Sequence, residues 1–266
     1  MPRYAVLLLV FIIVIGLVFS NDTLSIDPNN IVAYWSFNKG SGGTVADDSG
    51  NGFDGKVMDS EWAKDGKDGT AMSFNGAGQF VQVTSDPGLE PGVDNWTIEM
   101  WLKRADAEGG WHKILTKYPG NWTGYRIGLL DNTIHVIFGS GPAPNMVEFQ
   151  TTNTITDQEW HHLALAIDRK ADAVIYIDGE ADVNVANVEN LDGQEVKSPQ
   201  DLEFGRCHWC GGGLTMGFNG ILDEIKIWRE ALSEDDIKLA MEGKINFAVS
   251  PKSALTTTWG SVKNSI

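Results

Sequence analysis

From Ile31 onward the chain alternates apolar and polar residues with a period of two, and Gly, Asn and Asp interrupt the pattern every few residues. That period puts successive side chains on opposite faces of a strand, so the pattern predicts short, half-buried β-strands joined by turns. WTIEMWLKR (96–104) is the clearest case, with Trp96, Ile98, Met100 and Leu102 on one face and Thr97, Glu99, Trp101 and Lys103 on the other. IVAYWSF (31–37), HKILTK (112–117), YRIGLL (125–130), TIHVIF (133–138), WHHLALAID (160–168), AVIYIDG (173–179), DLEFG (201–205) and GFNGILDEIKIWR (217–229) also read as strands. Asp131-Asn132 joins one pair, and Asp178-Gly179 is a hairpin-turn dipeptide. AMSFNGAGQFVQV (71–83) reads as two short strands about Asn75-Gly76-Ala77-Gly78. One helix is predicted: Ser233 caps it, Glu234, Asp235 and Asp236 oppose its dipole, Ile237, Ala240 and Met241 form its apolar stripe, and Gly243 ends it. Strands at short intervals with a single short C-terminal helix predict an all-β fold, a two-sheet antiparallel β-sandwich over residues 30–243, followed by a polar tail at 246–266.

The chain start breaks the pattern. Ala5 to Phe19 is an unbroken run of fifteen apolar residues behind Arg3. A bilayer span needs ~20 residues, whereas this length suits the hydrophobic segment of a signal peptide. Residues 1–20 therefore read as a signal peptide or, if uncleaved, as an N-terminal anchor helix held by residues 5–19, and the rest as secreted or extracytoplasmic. The formal net charge of −16 argues against nucleic acid or an anionic membrane surface as partner, leaving membrane contact to the N-terminal segment alone. The only two cysteines form Cys207-His208-Trp209-Cys210. In an exported chain this spacing reads as a Cys207–Cys210 disulfide; zinc stays open but lacks identifiable further ligands.

Three groups of residues carry candidate chemistry. DDSGNGFDG (47–55) opens like a calcium loop, with Asp47, Ser49 and Asn51 spaced to present oxygens and Gly52 at the sharp turn, but Met58 stands where a closing Glu belongs. Alone, it is either half of a cation site or a turn whose side chains cap their own backbone. Trp111, Trp122 and Trp209 lie in Gly-rich loops, where an exposed ring can stack on a sugar; Trp101 shares a polar strand face and is a further aromatic surface. His161 and His162 are neighbours on a strand, point to opposite faces and cannot chelate one ion together. For catalysis the signals are absent: there is no E-x-D-x-E, G-x-S-x-G, H-E-x-x-H or phosphate loop. Asp201 and Glu203 stand alone at i, i+2, and Asp223-Glu224 are adjacent. No catalytic residue is expected.

In order along the chain, AYWSFNKGSGGTVADDSGNGFDG, SFNGAGQFVQV, WTIEMWLKR, EWHHLALAIDRKADAVIYIDGE and GFNGILDEIKIWREALSEDDIKLAM resemble the blocks of the laminin-G-like jelly-roll family of the concanavalin A-like lectin/glucanase superfamily. The resemblance covers about residues 30–243 and implies a jelly-roll sandwich, mostly non-catalytic in its members, that binds carbohydrate or protein. It also implies a structural Ca²⁺ at the rim. Carried onto this chain, the ligands would be Asp47, Asp48, Asn51, Asp54 and, completing the loop, Asp223. The expectation is an exported binding module for a glycan or glycoprotein. The alternatives are an adhesion module with an extracellular protein partner and, more remotely, a polysaccharide-active glycoside hydrolase.

Overall fold

The alternation resolves into two antiparallel sheets packed face to face. The computed structural model describes residues 26–208 and 216–243; the apolar run at 5–19, Trp209, Cys210 and the 246–266 tail lie outside them. The strands of the first half are β1 (Ile31–Trp35), β2 (Thr44–Val45), β3 (Gly55–Met58), β4 (Glu61–Ala63), β5 (Ala71–Asn75), β6 (Phe80–Val83), β7 (Trp96–Arg104), β8 (Trp111–Lys117) and β9 (Thr123–Leu130). The second half adds β10 (Thr133–Ser140), β11 (Met146–Thr154), β12 (Trp160–Ile167), β13 (Asp172–Ile177), β14 (Glu180–Ala181), β15 (Ala186–Asn187), β16 (Leu202–Phe204) and β17 (Asn219–Trp228), then helix α1 (Glu234–Met241). Among the described residues the first sheet runs β14-β13-β12-β7-β17-β5-β4, with β1 beside β17 and β15 beside β13. The second runs β11-β10-β9-β8-β16-β6-β3-β2.

The core lies between the inner faces. Trp96, Ile98, Met100 and Leu102 of β7 are fully buried, as the alternation requires, and share one apolar cluster with Ile127, Leu129, Val136, Phe138, Leu202 and Phe204 of the second sheet. Trp35 stands edge-on to Phe204 at 4.9 Å and donates its indole N–H to the Phe53 carbonyl at 2.8 Å, so its one polar atom is satisfied inside the sandwich.

β5 and β6 do not pair with each other. β5 pairs with β4 and β17, whereas β6 pairs with β3 and β16 in the other sheet. The Asn75–Gly78 turn carries the chain across, with Gly76 at φ 72° and its N–H donating to the Phe218 carbonyl at 3.0 Å. Each short strand thus buries its apolar face in the common core from opposite sides.

The two outer faces differ. On the first sheet, α1 lays Ile237 and Ala240 over Trp228, Leu232, Ala164, Ala166 and Tyr176, forming a second small core. A capping box fixes the helix start: Ser233 Oγ accepts from Asp236 N at 3.2 Å while Asp236 Oδ2 accepts from Ser233 N at 3.2 Å. The outer face of the second sheet mixes charged, polar and aromatic side chains.

Candidate functional site

The acidic loop joins β2 to β3, and its carboxylates meet donors of the protein itself. Asp47, only 8% exposed, accepts from the backbone N–H of Tyr34, Ser49 and Phe53 at 3.0 Å each and from Ser49 Oγ at 2.6 Å. Asp54 Oδ1 accepts from Asp47 N at 2.8 Å, and Asp48 Oδ2 from Ser36 Oγ at 2.5 Å. The Asn51 amide donates to the carbonyls of Val32 at 2.9 Å and Ile31 at 3.2 Å. Gly50 and Gly52, at φ 81° and 91°, supply the left-handed backbone that closes so tight a turn.

Asp223 on β17 is fully buried, and it faces a different loop. Its Oδ2 accepts from Lys67 N at 2.8 Å and Asp68 N at 3.1 Å, and its Oδ1 from Glu224 N at 2.9 Å. Burial, with the Glu224 carboxylate beside it, pushes Asp223 up to about 7 despite those three donors. Tyr34 ties the two regions together electrostatically: its hydroxyl donates to Glu224 at 2.7 Å, and burial, then Glu224, then Asp48 and Asp223, raise its phenol. Among the described residues no three or more His, Cys, Asp or Glu side chains are grouped to hold a metal ion. As placed, the five acidic-loop and β17 residues serve as partners of backbone groups; they do not form a cation cage.

Across the outer face of the second sheet, strand register builds one continuous row. Lys56 stands opposite Gln82, Gln82 opposite Glu203, Glu203 opposite Thr116, Thr116 opposite Arg126, Arg126 opposite Ile137 and Ile137 opposite Glu148. At the β6–β16–β8 end, Gln82, Thr116, Tyr118, Gln200, Asp201, Glu203, Arg206 and His208 line a cleft of ≈ 220 Å³. Its carboxylates are held: Glu203 accepts from Arg206 Nη2 at 2.7 Å and His208 N at 2.9 Å, and Asp201 accepts from Ser85 N at 2.7 Å and from the Gln82 amide. Arg206 in turn lies 3.1 Å over the Phe80 ring.

At the β8–β10 end the face is cationic. Lys113 Nζ sits 3.7 Å over the Trp111 ring, Arg126 lies 5.1 Å from Trp111 and 5.3 Å from Tyr118, and His135 meets Trp111 edge-on at 4.7 Å. Tyr118 passes the contact on to Trp122 at 6.5 Å. Burial first, then the neighbouring Arg126, pushes Lys113 down to about 7 and His135 down to about 4. Trp122 is the exposed ring of the series, at 36%, and its backbone is held at φ 67° between Gly120 and Gly124. A non-glycine residue there costs roughly 1–2 kcal/mol.

A family model described as the concanavalin A-like lectin/glucanases superfamily, of laminin G type, matches residues 75–238, more than half of the chain. The chain belongs to this superfamily. No curated protein matches in sequence. Among solved structures, the binding domain of Paraclostridial Mosquitocidal Protein 1 superposes with TM-score 0.66 at 17% identity, covering 82% of this chain and 53% of that one. The botulinum neurotoxin DC binding domain, solved with rat synaptotagmin II, gives 0.63 at 14%, covering 81% and 52%. Domain 4 of AbnA, a GH43 extracellular arabinanase from Geobacillus stearothermophilus, solved with arabinotriose, gives 0.57 at 20%, covering 79% and 97%. The chain thus spans about half the length of the toxin domains and nearly all of the arabinanase domain; at these identities the likeness is one of fold.

Within this superfamily member, the tryptophans singled out from the sequence fall in different settings. Trp111 and Trp122 belong to one surface; Trp111 is half-buried under cations, Trp122 is open, and Trp209 lies outside the described residues, as does Cys210. Cys207 is buried, its Sγ 4.0 Å from the Tyr118 carbonyl. Trp101 is covered by Lys67 Nζ at 3.7 Å and flanked by His162. His162 is buried against Glu99 at 3.2 Å, while His161 bridges Asp157 and Asp178 at 2.8 and 2.7 Å, so the pair serves two separate environments. Arg126, Lys113, His135 and Tyr118 carry no motif that marks them as a site in the sequence. The available signal was an Arg in YRIGLL and a His in TIHVIF on the polar phase of strands flanked by Trp111 and Trp122.

Proposed function

We propose that this chain is an exported, non-catalytic binding module whose ligand is a glycan or the glycan of a glycoprotein, held on the outer face of the second sheet. The observation that carries the reading is the exposed Trp122 ring, packed on Tyr118, which itself lines a cleft with Gln82, Thr116, Asp201, Glu203 and Arg206. A sugar presents an apolar C–H face and a rim of hydroxyls. An open indole covers the first, and the amide, hydroxyl and guanidinium groups of the cleft pair with the second. The arabinanase domain solved with arabinotriose supports a saccharide ligand for this fold. A hydrolytic role is disfavoured because Asp201 and Glu203 are engaged by Ser85, Gln82, Arg206 and His208, leaving neither carboxyl turned to a substrate as acid or nucleophile.

A broad array of neutral and charged oligosaccharides, followed by calorimetry on the hits, tests this. Trp122→Ala should weaken binding by at least about tenfold, the order of a lost stacking contact, and leave the melting temperature unchanged. Absence of any glycan binding, or unchanged affinity in Trp122→Ala, overturns the reading.

A further inference from the structure

The cationic end of the same face is unbalanced. Lys113, Arg126 and His135 are 3%, 7% and 4% exposed, and the carboxylate against them is Glu148, whose Oε1 lies 3.0 Å from His135 Nε2. Arg126 Nε and His135 Nδ1 are buried with no hydrogen-bond partner. Both long cations lean on aromatic rings, Lys113 on Trp111 and Arg126 on Trp111 and Tyr118, which support the charge but accept no N–H bond in the plane of the guanidinium. Between Lys113 and His135 in the register stands Gly128, over which the β8 backbone closes: a Cβ there would meet the His112 carbonyl oxygen at 2.6 Å. Arg126 Nε is thus a buried donor without an acceptor, and His135 Nδ1 a buried ring nitrogen that becomes a second one when the imidazole is protonated; such groups are expensive to keep unless something meets them.

We infer that this patch is an anion site, and that the ligand of the second sheet is an acidic glycan whose carboxylate or sulfate ester docks between Lys113, Arg126 and His135 while its sugar ring lies toward Tyr118 and Trp122. The inference rests on the glycan reading above and narrows it. The geometry connects the two halves: Tyr118 lines the cleft and also touches Arg126. The overall negative charge does not oppose this, because bulk charge is screened beyond ~8 Å at physiological ionic strength while a buried guanidinium acts at contact distance. The depressed Lys113 and His135 fit a site in which a bound anion would restore both protons, so binding takes up protons. Lys113 is charged in free and bound protein below about pH 7. Above that, the free amine must be protonated on binding, so affinity falls as pH rises.

The test has two arms. In the first, the His135 ring resonance is titrated by NMR with sodium sulfate against sodium chloride at matched ionic strength. Sulfate should raise the His135 midpoint above about 4, and Arg126→Gln should abolish the rise; the same midpoint in both salts overturns the anion site whatever the glycan result. In the second, oligogalacturonate is compared with its methyl ester, dextran sulfate oligosaccharide with dextran, and an oligoglutamate of equal charge serves as control. The charged member of at least one sugar pair should bind roughly tenfold or more tightly than its neutral partner, as expected for one charge-assisted contact. Arg126→Gln and, should that variant fail to fold, Lys113→Gln should erase the difference, and Glu148→Gln should strengthen binding. Equal binding of charged and neutral sugars overturns the anion site and leaves the glycan reading intact. Oligoglutamate bound as tightly as the sugars reassigns the surface to acidic peptides and overturns both. Failure of every sugar, with the sulfate effect present, leaves an anion site and overturns the glycan reading together with the acidic-glycan assignment.

Discussion

The acidic loop at 47–54 and the cationic end of the second sheet's outer face are opposites in more than charge. In the loop, a dense set of carboxylates and an amide is met almost completely by backbone partners: Asp47 alone takes three N–H groups and a hydroxyl. On the sheet face, Lys113 and Arg126 rest on rings, and Arg126 Nε and His135 Nδ1 have no partner. The loop looks like a ligand site in the sequence, and in the fold its carboxylates meet donors of the protein itself. The face looks like ordinary strand in the sequence and holds polar atoms that the protein itself does not satisfy. Density of chemical groups alone does not mark a ligand surface, because a fold can engage its carboxylates with its own backbone.

Substitution at the centre of each region should give the largest contrast. Asp47→Ala removes a buried carboxylate that accepts from the backbone N–H groups of three half-buried residues. Unsatisfied buried donors cost about 1–3 kcal/mol each before relaxation and water entry, so a net loss of about 3 kcal/mol is expected in chemical denaturation. Arg126→Met removes a buried cation with unmet donors and retains bulk against Trp111 and Tyr118, so its effect should lie within about 1 kcal/mol of zero and can be stabilising. If Arg126→Met proved as damaging as Asp47→Ala, the guanidinium would be a structural group and the contrast would collapse.

Much of this fold could be read along the chain, and the reasons for the exceptions are physical. β7 alternates over its whole length, so Trp96, Ile98, Met100 and Leu102 could be assigned to the core without knowing what they would touch. The α1 start is local too, since a Ser and an Asp three residues apart close their own capping box. What separates a hairpin from a crossover at Asn75–Gly78 is the choice of partner strand. For β5 one partner is β17, nearly 150 residues further on. The site follows the same division. Trp111 and Trp122 were visible as aromatic residues among glycines. Arg126 was not, because its burial depends on Trp111 of the neighbouring strand and on Tyr118 just past that strand's end, and its alignment with Thr116 and Glu203 depends on register across three strands. Asp223 was joined to the loop by resemblance alone; its carboxylate instead closes on the amides of Lys67 and Asp68.

Acid titration reaches the contrast from the sheet side, with a smaller effect. Burial and the adjacent cations hold His135 near 4 in the folded protein, against 6.5 for an unperturbed imidazole. Between those values the unfolded chain binds the extra proton and the folded one resists it, so stability falls as pH drops from 6.5 to 4 and the loss is complete below 4. The gap between 6.5 and about 4 sets an upper limit of roughly 3 kcal/mol on this contribution, read as the difference between wild type and His135→Gln in denaturant midpoints across that range. Parallel curves for the two proteins would mean that His135 is solvated and that the face is less dry than its geometry indicates.

The smallest expected effect tests the loop side, and it is the one most able to reverse the comparison. A cation at the rim would need carboxylate oxygens from Asp47, Asp48, Asp54 and Asp223, yet these accept from the N–H groups of Tyr34, Ser49, Phe53, Ser36, Asp47, Lys67 and Asp68. Backbone amides and a dication cannot use the same lone pairs at full strength, so binding would have to break several bonds that already hold the turn. A ligand that binds only the native state raises its stability in proportion to the logarithm of its excess over Kd. On this geometry Kd for Ca²⁺ is high, and EDTA followed by millimolar Ca²⁺ should move the melting temperature by no more than about 1 °C, under half a kcal/mol for a domain of this size. A larger fall on chelation, recovered with Ca²⁺ and lost in Asp223→Asn, would mean that Asp48 and Asp223 exchange their amide partners for the ion. The acidic loop would then join the sheet face among the surfaces that are completed from outside.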